Sequence, residues 1–240
     1  MNDSMTSLED ARVYLNKLPS QLDEYLDASN RKALQQLIQA FDQFFNVISR
    51  IDIQAGENLP ITEIEATDIG DHGLVLLLKL VDLMESLDLS HKRKEVEQIS
   101  LIFAHWIMSY GGKINHLESL VNAFAHLANT MREHEALKQL SILMGQVVDA
   151  CSQEIKRDID KNNEFRPWRL LHINRGIVAT RTHDLEIMKT VFDELLVYLP
   201  EEANNFFEEG MREMDALDYP LHVRELIAFY QNKKPAINLH

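Results

Sequence analysis

Apolar residues recur at steps of three and four along almost the whole chain. From Leu117 they fall at Leu120, Val121, Phe124, Leu127, Ala128 and Met131. From Leu137 they fall at Leu140, Met144, Val147, Val148, Cys151 and Ile155, and from Ala203 at Phe206, Phe207, Gly210, Met211, Met214 and Leu217. Each set marks one face of an α-helix. No period-two run bounded by turn residues competes with it, and leucine, a strong helix former, occupies 33 positions. The chain is expected to be all-α.

The punctuation agrees. Ser20 or Asn30 can start N-terminal helices, and Gly111 with Gly112 can stop one after Tyr110. Pro167, Pro200 and Pro220 sit where first helical turns begin, a place that tolerates their missing N–H. The expected helices cover 8–17, 20–28, 31–52, 61–68, 74–89, 92–110, 114–131, 134–160, 167–182, 184–199, 200–217 and 220–231. The loop 53–61, with Gly56 and Pro60, and the GDHG at 70–73 suggest a boundary near residue 72. Residues 1–72 then form an N-terminal helical subdomain, and 73–240 a run of helix pairs at 74–110, 114–160, 167–199 and 200–231. Short links make successive helices antiparallel neighbours, and a row of such hairpins is an α-solenoid. The pairs lack a fixed period and the residue pattern of tetratricopeptide repeats, so the solenoid is a degenerate one. An irregular helical bundle is the alternative.

The segment PEEANNFFEEGMREMDALDYPLHVR, at 200–224, resembles the C-terminal part of uncharacterised bacterial all-helical proteins. The resemblance covers about a tenth of the chain and implies helical hairpins of tetratricopeptide-like form, with no function attached.

Acidic and basic residues total 38 and 24, for a formal charge of −14 over 240 residues. Such a surface repels a phosphate backbone, which disfavours nucleic acid as a partner. The lone Cys151 has no partner for an internal disulfide or a second thiolate at a metal. The N-terminal MNDSMTSLEDAR lacks the basic and apolar regions of a secretory signal. The apolar run Ile99–Tyr110 falls short of the roughly 20 residues that span a bilayer. A cytoplasmic protein without a membrane partner is expected.

No chemistry-bearing set is complete. No histidine has another four residues on or Glu three residues before it, so the helical zinc and di-iron patterns are missing. His91 with Glu95 stands beside Lys92, Arg93 and Lys94, which repel a cation. His183-Asp184 is similar to the metal-binding pair of HD-type phosphohydrolases, but Asp184 before an apolar helix reads as its N-cap. Asp158, Asp160 and Asn162 begin a calcium-loop pattern that fails at Asn163 and Arg169. No GxSxG elbow, GxxxxGK[ST] loop or GxGxxG turn occurs. Cys151 reads as a buried small apolar residue, and Phe41, Phe44, Phe45, Phe103, Trp106, Phe206 and Phe207 as core. Gly210 reads as a site of close helix crossing. No catalytic residue, metal ligand or cofactor is assigned.

One charge feature stands out. Arg166, Arg169, Arg175 and Arg181 lie in a stretch free of acids, followed by Glu201, Glu202, Glu208, Glu209, Glu213, Asp215 and Asp218. With Trp168 at zero and about 100° per residue, Arg169, Arg166 and Arg181 fall at about 100°, 160° and 220°, and Arg175 at about 340°. Arg166, Arg169 and Arg181 are thus the candidate patch for an acidic partner or anion. The same helix is apolar on two sides, at Leu170, Ile173 and Ile177 and at Leu171, Trp168 and Val178. That reads as an inner helix whose arginines pair with its acidic neighbours. HKRK at 91–94 reads as a solvated turn between helices. The expected function is a non-enzymatic interaction or scaffold protein that binds another protein or peptide through a helical-repeat surface. A homodimer is compatible with it. The alternative is an all-α domain that binds or senses a small molecule.

Overall fold

A computed structural model describes residues 6–56 and 61–233. The first residues of the N-terminal segment read above, and 57–60 of the loop with Pro60, lie outside the described residues. The described chain is all-α, with eleven α-helices and no strand. They are α1 (Leu8–Leu22), α2 (Ala28–Gly56), α3 (Glu63–Ser86), α4 (Ser90–Ser109), α5 (Glu118–Thr130), α6 (His134–Ala150), α7 (Gln153–Lys156), α8 (Pro167–Thr182), α9 (Leu185–Tyr198), α10 (Pro200–Ala216) and α11 (Leu221–Asn232). No described helix is long and apolar enough to cross a membrane.

The chain divides into two compact units. One takes the residues through His126 together with Asp149–Arg157, and the other Leu127–Val148 with the chain from Asp158 onward. Within the first unit α1 packs on α2, α2 on α3, α3 on α4, and α4 back on α1, the closed circuit of a four-helix bundle. Phe44, Phe45 and Phe103 meet in its core, with Phe103 centred 4.8 Å from Phe44 and 5.9 Å from Phe45. Within the second unit α9 packs on α8, α10 and α11, and α10 on α11. Phe192 of α9 meets Phe207 of α10 at 5.1 Å and Tyr230 of α11 at 5.2 Å.

Five local expectations change. Residues 70–73 are continuous helix within α3, so the boundary read at residue 72 falls inside an element. The glycines there are packing sites: a Cβ on Gly73 would lie 2.5 Å from the Phe44 ring, and Gly70 faces Ile107. The break read before Ser20 is also helical, because α1 carries Pro19 inside it on buried Leu15, Leu18 and Leu22. Asp27, not Asn30, begins α2, its carboxylate accepting the Asn30 amide at 2.7 Å. The long helix read over 134–160 ends at Ala150, since Ile114 bridges Cys151 and bonds Ala150 at 2.9 Å and Ser152 at 3.0 Å. That pairing also delays the helix read from 114, so α5 begins at Glu118.

Other expectations stand. Gly111 adopts φ 72° after Tyr110 and closes α4, a backbone region where a Cβ is strained. Pro167 and Pro200 occupy first turns, whereas Pro220 is the residue before α11.

Candidate functional site

The arginine-bearing helix α8 organises the second unit. Its sequence places large residues all round, and it buries Trp168, Leu171, His172, Arg175, Gly176 and Val178. Arg166, at its N-cap, is only 6% exposed. Its guanidinium donates to Asp158 at 2.6 Å, to Glu202 at 3.0 Å, and to the carbonyls of Lys161 and Asn163 at 3.1 and 3.0 Å. Arg169 donates to the other Glu202 oxygen at 2.5 Å and to the Glu164 carbonyl at 3.0 Å. Burial alone would raise the Glu202 carboxyl, but the hydrogen bonds from Arg169 and Arg166 outweigh it and hold it below its ordinary range. Asp158, the first residue of the calcium-like pattern, therefore faces a guanidinium.

Arg175 pairs with Glu194 and donates to the Ser141 carbonyl at 3.4 Å. Gly145 leaves room for it, since a Cβ there would lie 2.7 Å from its terminal nitrogen. Arg181 donates to the carbonyls of Ala128 and Met131, the latter at 2.6 Å. A cation there satisfies carbonyls left open at the end of α5. Arg166 and Arg169 thus meet around one carboxylate, while Arg181 lies twelve residues further along α8, about 18 Å from Arg169 at the helical rise. The structure does not gather the three into one patch.

At the C-terminal end of α8 three histidines converge. His183 holds the left-handed conformation at φ 55° and its ring lies 4.7 Å from that of His134. His134 bonds the Arg181 carbonyl through Nδ1 at 3.1 Å, and His222 bonds the His183 carbonyl through Nε2 at 3.3 Å. A carbonyl only accepts, so both ring nitrogens carry the proton. Burial first, then the fields of His134 and His222, lower the His183 pKa. Asp184 caps α9, accepting the Glu186 and Ile187 amides at 3.0 and 3.3 Å and pairing with Lys138 at 2.8 Å. Among the described residues no group of three or more His, Cys, Asp or Glu is placed to hold a metal ion. Sequence reasoning missed this cluster because its members come from three distant segments.

Tyr219 stacks edge-on against His183 at 5.3 Å and lines a groove between α8, α10 and α11. The groove encloses about 290 Å³ and its lining is mostly apolar, with Ile173, Phe206, Met214 and Ile227 among it. Phe206, read as core, is only partly buried and seats its ring on bare backbone, where a Cβ on Gly176 would lie 2.6 Å away. Gly210 is no close crossing: a Cβ there would meet Ile227 at an ordinary 3.5 Å, and its missing side chain leaves the groove open. Ile177 and Leu217 remain 45% and 53% exposed at the edges. The sequence did carry a trace of this, in the second apolar side of α8 at Ile173 and Ile177.

Cys151 is buried, and burial pushes its thiol up to about 12, far from a reactive thiolate. The HKRK stretch is not a turn but the first turn of α4, where Arg93 pairs with Glu85 and Glu97. No family model, curated protein or solved structure matches the chain.

Proposed function

We propose that this protein is a non-enzymatic interaction module that binds another protein or peptide through its second unit. The observation that carries the reading is the open apolar groove between α8, α10 and α11, with Ile177 and Leu217 exposed at its edges. The polar side chains that the sequence marks for function are spent elsewhere. Arg166, Arg169, Arg175 and Arg181 all bond acceptors of their own chain, and Asp184 caps a helix. The groove itself offers a partner apolar surface, and apolar area is what drives most protein association. Ile177 and Leu217, exposed along it, leave the groove open to solvent, which suits the anchoring side chains of a larger partner better than the burial of a whole small ligand.

Replacing Leu217 by a benzophenone-bearing amino acid in intact cells tests this. A discrete protein adduct is expected, and it should vanish when Gly210→Phe fills the groove while the unfolding midpoint is kept. Adducts that persist in the filled variant, or no protein adduct at all, would contradict the reading.

A further inference from the structure

We infer that the groove takes one face of an amphipathic helix from another protein, with lysine or arginine side chains flanking its apolar stripe. This inference rests on the interaction reading above and names the chemistry of the partner.

Length argues for a helix. On α8 the lining residues Ile173, Ile177 and Thr180 step by four and three, a stripe about 10 Å long. On α10 they run from Phe206 to Met214, about 12 Å, with Leu217 just past its end. A trough of two to three helical turns matches anchors at i, i+4 and i+7 of an inserted helix, a recurring mode of recognition. Specific polar anchoring is sparse, because the Thr180 hydroxyl already donates to the Gly176 carbonyl at 2.9 Å.

Charge argues for a basic flank. Among the described residues, the charged ones lining the groove are Glu209 and Glu213, with no basic residue beside them in the lining. They are exposed, stand one turn apart on α10, and form no ion pair among the described residues. Like charges at that spacing disfavour the free helix, and cations brought beside an apolar stripe would relieve them. A second copy of this chain fits less well. Its most basic helix is α8, and all of that helix's guanidinium groups are engaged within the fold.

The test uses the full chain and two fluorescent helical peptides with the same leucine stripe, one flanked by lysine and the other by glutamate. Anisotropy at physiological salt should show saturable binding of the lysine peptide, at least about tenfold tighter than the glutamate peptide. Gly210→Phe, and independently Leu217→Ser, should weaken the lysine peptide about tenfold or more, a loss typical of a central contact. The double variant Glu209→Lys, Glu213→Lys should reverse the preference between peptides. Equal binding of both peptides, lysine-peptide binding untouched by Gly210→Phe and Leu217→Ser, or an unchanged preference in the reversed variant would overturn the inference. Self-association blocked by Gly210→Phe would do the same, by making a second copy the occupant. If cells yield a groove adduct but the lysine peptide does not bind, the partner chemistry fails while the interaction reading stands. If neither is seen, both fail.

Discussion

Arg166 shows how far a residue's identity underdetermines its role. In sequence it is the first cation of an acid-free stretch. In the fold it is buried against Asp158 and Glu202. Removing one partner from such a buried pair costs about 3–5 kcal/mol, so reversing Arg166 to Glu would report on folding before it reported on a partner. His172 is the complementary case. It lies buried on α8, its ring centre 4.4 Å from Trp168 and 4.9 Å from Tyr198. Burial first, and the charge of Arg175 second, lower its pKa to about 3. Below about pH 6.5 the unfolded chain takes up a proton that the native ring refuses, so this group's contribution falls with pH until about 3. The slope is about 1.4 kcal/mol per pH unit for one proton, and above pH 6.5 the group adds none. Urea unfolding at pH 7, 5.5 and 4.5 should therefore show a shallower acid loss in His172→Phe than in the parent. Parallel profiles would show that the buried ring is not what the acid sensitivity reports.

At the scale of elements, two helical glycines that look alike in sequence have opposite duties. Gly176→Ala would drive a Cβ into the Phe206 ring, 2.6 Å away, and should destabilise by about 1–3 kcal/mol, as overpacking does. Gly210→Ala meets only ordinary contact at 3.5 Å and should stabilise, by up to about 1 kcal/mol through helix propensity. Thermal or urea unfolding separates the two, and equal signs would contradict this packing. The pair also shows what the sequence could convey. Helices α8 to α11 were legible to within a few residues because proline, Asp184 and the apolar steps all mark the same ends. The GDHG stretch and the 134–160 segment were misread for one physical reason. Gly70 and Gly73 are held helical by Ile107 and Phe44, and the helix after His134 is stopped by pairing with Ile114, both through contacts distant in sequence. Likewise the groove is half legible, in Ile173 and Ile177, while the wall supplied by α10 required the fold.

The whole molecule carries a formal charge of −14, and basic peptides will collect on such a surface without any site. Location, more than affinity, is therefore what separates a groove from a charged exterior. The second unit offers a built trough, with Phe206 seated on Gly176 and Gly210 leaving space beside Ile227. The first unit has its own circuit of α1 to α4 around an aromatic core. The most direct measurement is an amide chemical-shift map of the labelled full chain titrated with the lysine-flanked peptide at physiological salt. The expected result is perturbation concentrated at 173–180 on α8, 206–214 on α10 and around Leu217, Tyr219 and Ile227. Shifts spread over the acidic faces of α1 to α4, or absent from the groove at saturation, would contradict the groove as the binding surface.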